Sequence, residues 1–191
     1  MAVMTKRVLV QSFSKLLKQK PLKKITVQDI ADDCGVSRMT FYYHFKDIHH
    51  LLQWTMESAL EKLFSDIKQE QLDWREGCVR VFRFVLARKD AVAKLLPEMD
   101  QSELCLYLYR VSNRFTTHMV NAAAQGKRPI SEEEKQFLAD NAAFCLIVTL
   151  LKWSYGGMRE EPECLVAQLA ALLENGTECA LSHFAAAQET K

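Results

Sequence analysis

Residues 26–45 read TVQDIADDCGVSRMTFYYHF, and this stretch decides the fold of the 191-residue chain. Two short helical patterns flank a single glycine. Gly35 can adopt a left-handed backbone without a Cβ penalty, and Ser37 follows it as the expected N-cap of the second helix. Thr26 is the expected N-cap of the first helix. The arrangement predicts a helix-turn-helix whose second helix fits a DNA major groove, which is about 12 Å wide.

The rest of the chain predicts an all-α protein. Apolar residues make up 49%, and the four prolines and six glycines favour a packed helical fold over disorder. We find no strand alternation, internal repeat or low-complexity tract, and we expect a loop at residues 125–129. Apolar periodicity predicts further helices near residues 5–19, 48–67, 74–88, 91–96, 102–124, 131–155 and 162–184.

The net charge of +1 conceals an uneven distribution. Residues 1–50 contain nine lysines and arginines and four aspartates, a net charge of +5, which leaves −4 for the other 141 residues. A basic head on a slightly acidic body is typical of a protein that meets phosphate with one end. Chance clustering of surface lysines is the alternative.

Several protein classes are disfavoured by what the sequence lacks. The six cysteines are scattered, which fits neither a zinc ribbon nor a redox pair, and we expect buried thiols. No apolar run approaches the roughly 20 residues that span a bilayer, and the N-terminus lacks a secretory signal. We find no catalytic motif, P-loop or paired Cys/His cluster. We therefore expect a cytoplasmic protein that is not an enzyme and has no cofactor, metal site or membrane partner.

Residues 25–52 resemble the TetR family of bacterial one-component regulators. The family motif is matched by ITV at 25–27, IA at 30–31, GVS at 35–37, TFY at 40–42, HF at 44–45 and LL at 51–52. The resemblance implies a three-helix DNA-binding domain at residues 1–48 and a helical effector-binding and dimerisation domain at residues 49–191. It also implies that a homodimer binds a double-stranded DNA operator.

The second helix of the motif has two predicted faces. Phe41 and Phe45 lie four residues apart and are expected to face inward with Ile30 and Val36. Outward-facing polar and aromatic side chains are expected to hold the helix against phosphates, which positions it without reading sequence. The complete set of expected DNA contacts is Thr26, Gln28, Ser37, Arg38, Met39, Thr40, Tyr42, Tyr43, His44 and Lys46.

Within this set we expect different roles. Arg38 and Met39 begin the second helix and are best placed to contact base edges, because arginine pairs with guanine and methionine contacts the thymine methyl group. Gln28 is expected to read an adjacent base, and Thr26 to bind phosphate at a helix N-terminus. Alternatives remain open for three side chains. Tyr43 could pack on the first helix, Met39 could lie in the core, and His44 could bond a backbone carbonyl.

One departure from the family pattern concerns the start of the fourth helix. The family often has a lysine there that reaches DNA, whereas this chain has Ile48 followed by His49 and His50. Lys46, or His49 when protonated, is the expected substitute. Adjacent histidines on a helix point about 100° apart, which disfavours a metal site.

The body is expected to sense an effector and to form the dimer. Residues 151–162 are similar to a subgroup that includes regulators of dihydroxyacetone kinase operons, which leaves a small molecule and a protein co-regulator both open as effector. The last two predicted helices are the expected dimer face, with small residues at Ala142, Ala143, Ala167, Ala170 and Ala171. The expected effector-binding residues, with ordinary core packing as the alternative for each, are Tyr107, Val111, Phe115, Met119, Phe144, Val148 and Trp153.

These expectations together predict a sequence-specific transcription regulator. The preferred hypothesis is a homodimeric repressor that a small molecule releases from a pseudo-palindromic operator. The alternative is an activator or co-regulator that is controlled by a protein partner.

Overall fold

The computed structural model describes residues 2–70, 72–126 and 130–187, and these residues contain helices and no strand. The predicted all-α class is confirmed. Lys127, Arg128 and Pro129 of the expected loop lie outside the described residues. Short 3₁₀ turns occur at Leu22–Lys24 and Leu96–Glu98. The α-helices are α1 (Ala2–Gln19), α2 (Val27–Cys34), α3 (Arg38–His44), α4 (Ile48–Gln69), α5 (Trp74–Leu86), α6 (Lys89–Leu95), α7 (Gln101–Ala124), α8 (Glu132–Tyr155) and α9 (Pro162–Ala187).

The described residues form two compact units. The first contains residues 2–70 together with Lys94–Glu98, and the second contains residues 72–93 and 99–187. The whole of α4 therefore belongs to the first structural unit, whereas the expected functional division after residue 48 assigns all of it except Ile48 to the second. That functional division stays a prediction.

Polar residues begin the helices, and Ser37 caps α3 as predicted. The Ser37 hydroxyl accepts a hydrogen bond from the Thr40 amide, and the Asp47 carboxylate accepts one from the amide of His50 at 2.8 Å. Ser131 and Glu134 form a capping box at the start of α8. Each cap satisfies amide groups that have no partner inside the helix.

The first unit is built around aromatic and aliphatic side chains from its four α-helices. Phe41 and Phe45 are almost completely buried, as predicted, with their ring centroids 5.9 Å apart. Val36 is only half-buried, because it lies in the turn rather than on a helix face. The other fully buried side chains of this core include Leu9, Phe13, Ile30 and Leu51.

The second unit packs α5, α7, α8 and α9 around one core that contains Phe82, Met119, Leu146, Trp153 and Leu169. The interface between α7 and α8 also contains a polar cluster. The Tyr109 hydroxyl and the Asn113 amide both donate to the same carboxylate oxygen of Asp140 at 2.8 Å. The hydrogen bond to Asp140 raises the pKa of Tyr109. This cluster fixes the pairing of the two helices at that point.

Residues 151–162, which resemble the regulators of dihydroxyacetone kinase operons, end α8 and begin α9. Gly157 has a φ of +84°, and the Met158 amide donates to the carbonyl oxygen of Trp153 at 2.9 Å, which closes a Schellman motif. Met158 is buried, and the Trp153 indole donates to the Glu160 carbonyl oxygen at 2.9 Å. Pro162 then begins α9. This segment is a structural stop between two helices.

The cysteine prediction is only partly correct. Cys78 is buried, and burial raises the pKa of its thiol to about 12. Three other thiols are half-buried, whereas Cys164 and Cys179 on α9 are exposed. All six are free cysteines.

Within the described residues, α8 is the helix that is long and apolar enough to cross a membrane by length and composition alone. In its most apolar window 44% is buried inside the protein. Core helices of soluble proteins pass the same test, so this is weak evidence for a membrane span.

Candidate nucleic-acid interface

The turn between α2 and α3 has the predicted left-handed glycine. Gly35 has φ +65° and ψ +32°, and its amide donates to the Asp32 carbonyl oxygen at 3.1 Å. The Val36 amide donates to the Ala31 carbonyl oxygen at 2.9 Å, which completes a second Schellman motif. The turn therefore sets the angle at which α3 leaves α2.

The start of α2 is occupied by a side chain of its own helix. The Thr26 hydroxyl accepts from the Asp29 amide at 3.1 Å and donates to the Asp29 carboxylate at 2.7 Å. Lys20 pairs with the same carboxylate at 2.8 Å. The hydrogen bonds from Lys20 and Thr26 lower the pKa of Asp29 to about 2. The hydroxyl of Thr26 is thus engaged inside the protein, and its role as a phosphate ligand stays a prediction.

The outer face of α3 is unusually apolar for a surface. Met39 is 76% exposed and Tyr43 is 82% exposed, and both lie opposite the buried Phe41. Neither side chain packs in a core or against α1, so both structural alternatives are wrong. Exposed methionine and tyrosine side chains on a short helix are available to a partner surface.

Two polar contacts pre-arrange the start of α3. The Arg38 guanidinium lies 6.0 Å from the centre of the exposed Tyr42 ring, within the range of a cation–π interaction. The Ser37 and Thr40 hydroxyl oxygens lie 3.0 Å apart. The Arg38 guanidinium and the Tyr42 ring therefore lie on one side of the helix, and their expected roles in base reading and phosphate contact stay predictions.

The junction between α3 and α4 joins several predicted contacts. The backbone amide of Lys46 donates to Nδ1 of His50 at 3.1 Å. This bond does not involve the ammonium group of Lys46, which is an exposed residue. His44 is half-buried, and its ring contacts those of Tyr43 and Phe45. Among the described residues, His44 makes no hydrogen bond to a backbone carbonyl, so the structural alternative for this side chain is not supported.

Gln28 is exposed near the start of α2, and its amide nitrogen donates to the Asp32 carboxylate at 2.6 Å. The other two acids of α2 are ion-paired, Asp29 with Lys20 and Asp33 with Lys15. Pairing reduces the repulsion that three carboxylates would exert on DNA phosphates.

One residue of this region was missed by sequence reasoning. Nζ of Lys6 lies 5.6 Å from the Phe45 ring centre and 5.5 Å from that of Trp54. Lys6 is far from both rings along the chain, and no local pattern connects them. The structure thus places ten expected contacts and Lys6 within the first unit, while their action on DNA stays a prediction.

The seven residues expected to bind an effector have three different environments. Met119 and Trp153 are buried in the packed core of the second unit. Phe144 and Val148 are exposed on α8, where the Phe144 ring stacks on Tyr109 at 5.5 Å. The half-buried members share one face of α7 and are Tyr107, Val111 and Phe115.

The expected dimer face also needs revision. Ala142, Ala143 and Ala170 are buried inside the protomer and cannot meet a second copy, whereas Ala167 and Ala171 are exposed. Sequence reasoning did not identify an exposed face of large side chains on α8, because helical periodicity alone does not reveal which face is covered. These are Phe137, Phe144, Val148 and Tyr155.

Among the described ranges, no group of three or more His, Cys, Asp or Glu side chains is arranged to hold a metal ion. At the start of α4 the His50 ring contacts the Phe45 ring, with ring centroids 5.6 Å apart.

Comparisons with known proteins agree with this geometry. The chain is similar to the HTH-type dhaKLM operon transcriptional activator DhaS of Lactococcus lactis subsp. lactis (strain IL1403), with 22% identity over 148 residues. That match covers 76% of this chain and 78% of the relative. The solved structure of the dihydroxyacetone kinase operon activator DhaS has a similar fold, with a TM-score of 0.71 and 18% identity. It covers 93% of this chain and 98% of that chain.

Two family matches cover both units. Residues 14–53 match the family described as bacterial regulatory proteins, tetR family, and thus include the whole helix-turn-helix. Residues 72–175, more than half of the chain, match the family described as transcriptional regulator C-terminal region. The chain belongs to the TetR family and is a DNA-binding transcription regulator.

Proposed function

We propose that the chain acts in the cytoplasm as a homodimeric repressor that binds a pseudo-palindromic operator and is released by a small-molecule effector. It acts by binding and not by catalysis. The observation that carries the DNA-binding mode is the two-sided α3. Phe41 and Phe45 anchor the helix in the core, while Arg38, Met39 and Tyr43 are exposed on its outer side.

The homodimer is supported by a row of exposed side chains along α8, which we call the outer seam. Its exposed residues recur at intervals of four, three, four and seven positions, a spacing typical of helices that pack along one face. An exposed apolar patch of this kind marks an interaction surface. In a two-fold dimer, the two copies of α3 would be the recognition helices. At a separation of about 34–36 Å they would read matching half-sites. The outer seam consists of Phe137, Asn141, Phe144, Val148 and Tyr155.

Release by an effector requires two conformations of the dimer that differ in the distance between the two DNA-binding domains. A ligand shifts the balance only by its difference in affinity for the two states. The half-buried face of α7 at Tyr107, Val111 and Phe115 is the preferred place for that ligand. Phe144 and Val148 fit the outer seam better than a ligand pocket, because both are exposed.

The alternative is an activator or co-regulator that is controlled by a protein partner. One observation favours it: the relative DhaS is named a transcriptional activator. The proposed recognition of DNA is the same in both cases, and the sign of regulation and the nature of the effector differ.

Selection of genomic fragments by the purified protein tests the proposal. We expect enrichment of a few fragments that share an inverted repeat, with footprints over both half-sites. Transcription in vitro from an enriched promoter should fall on addition of the protein. A rise would favour the activator, and an asymmetric site or no enrichment would contradict the proposed dimeric binding.

The effector is addressed by two parallel experiments. A thermal-shift screen of host metabolites should identify a compound that raises the melting temperature and weakens operator binding. Capture of a protein from host lysate that alters operator binding, with no active metabolite, would contradict the small-molecule proposal and favour the alternative.

A further inference from the structure

We infer that Lys6 is a DNA-backbone contact, positioned by two aromatic rings at the end of the recognition helix. Its ammonium lies 5.6 Å from the centre of the Phe45 ring and 5.5 Å from that of Trp54. Phe45 is the C-cap of α3, and Trp54 lies on α4. A residue of α1 thus places a positive charge beside the junction of α3 and α4.

Unlike three other lysines of the first unit, Lys6 has no ion-pair partner among the described residues. Lys15, Lys20 and Lys23 each pair with a carboxylate. In the part of the chain that the structure describes, no carboxylate lies within ion-pair distance of Lys6. Helices α1, α3 and α4 have no acidic residue in their first turns, and the Asp47 carboxylate at the N-cap of α4 accepts a hydrogen bond from the His50 amide. An uncompensated cation in such surroundings is available to a phosphate.

The surroundings of the ammonium suit a phosphate contact. The Phe45 ring also meets His44, an expected DNA contact, with ring centres 6.5 Å apart. Ile48 at the start of α4 contributes no charge, so the cation of Lys6 adds to the one that exposed Lys46 provides at this junction. An ammonium has three donors, and those directed away from the rings can reach a phosphate oxygen.

The two rings also reduce the cost of binding. A lysine side chain normally loses rotamer freedom when it is immobilised at an interface. Contact with Phe45 and Trp54 restricts Lys6 before DNA arrives. The alternative is a purely structural role, in which the Lys6 cation only stabilises the packing of α1 against these rings.

The inference rests on the proposed binding mode, and the salt dependence of DNA affinity separates it from a structural role. Each phosphate contact contributes about 0.9 to the slope of log affinity against log salt concentration. K6M keeps an aliphatic chain over the rings and removes the charge. K6R keeps the charge. K68M removes an exposed lysine near the far end of α4 in the same unit and is the matched control.

Fluorescence anisotropy with a random DNA duplex at about 50–200 mM salt gives the slopes. We expect the slope of K6M to be shallower by about 0.9 for each bound protomer, while K6R and K68M retain the wild-type slope. Over that fourfold range, wild type should lose about 3.5-fold more affinity than K6M for each protomer.

Melting temperatures measured alongside detect any loss of folding. An unchanged K6M slope overturns the inference, whatever its melting temperature, and leaves the proposed function intact. Equal reductions for K6M and K68M also overturn it, because they indicate a general charge effect. If wild type does not bind DNA, the proposed function fails and the inference fails with it.

Discussion

Arg38 and Tyr42 lie one helical turn apart on α3, and we predict that they make two different kinds of DNA contact. The R38A substitution should reduce discrimination between operator and random DNA by about 1–3 kcal/mol, because one bidentate contact to guanine is lost. The Y42F substitution removes only a hydroxyl and should weaken binding to all sequences alike. Competition binding with both duplexes measures the two effects, and circular dichroism checks the fold.

Unchanged discrimination by R38A would remove Arg38 from the residues that read bases. A loss of discrimination by Y42F, with random binding intact, would assign base reading to Tyr42 instead.

Asp29 makes the first unit sensitive to strong acid. Its pKa is about 2 in the folded protein against an ordinary value of 3.8, because Lys20 and Thr26 favour the carboxylate. The stabilisation is therefore fully present above about pH 3.8 and is lost as the pH falls through about 2. D29N should show a flatter dependence of unfolding on pH across this window.

D32N is the control for that measurement, since it changes a charge on the same helix and leaves the Lys20 pair intact. An identical pH dependence for wild type and D29N would contradict the role given to Asp29.

At the scale of elements, two glycines have opposite effects. Gly35 has a φ of +65°, and a Cβ there would meet no atom within 4 Å, so G35A adds backbone strain and no clash. It should destabilise the first unit by about 1–2 kcal/mol. Gly176 is helical within α9 with equally open space, so G176A should stabilise by about 0.5–1 kcal/mol.

Urea unfolding of both variants provides the measurement. Destabilisation by G176A would show that its backbone or surroundings are special, and an unchanged G35A would contradict the need for a left-handed glycine in the turn.

The elements that could be predicted from sequence are those with local signals. Thr26, Ser37 and Ser131 cap helices because their partners lie within three residues along the chain. The position of Lys6 over Phe45, and the meeting of Tyr109 with Asp140, depend on how distant segments pack. Local periodicity has no access to such contacts, and for the same reason it assigned buried alanines to the dimer face.

At the scale of the whole molecule, sedimentation should give a dimer of about twice the 22.0 kDa protomer mass. V148E places a charge in the middle of the outer seam, where two copies would bring like charges together. We expect it to sediment as a monomer with intact helices and weakened operator binding. A122E puts the same side chain on an exposed position of α7 and should remain dimeric.

A monomeric wild type at micromolar concentration would contradict the proposed dimer. A dimeric V148E would place the interface elsewhere on the second unit.

If two copies pair along the outer seam of α8, as proposed, regulation depends on how much of this protein the cell makes. When most of the protein is monomeric, the number of dimers rises with the square of the amount synthesised, by mass action. A twofold change in gene dosage would then change the number of DNA-competent molecules about fourfold. Promoter control would respond to how much of the regulator the cell makes as well as to what the regulator senses.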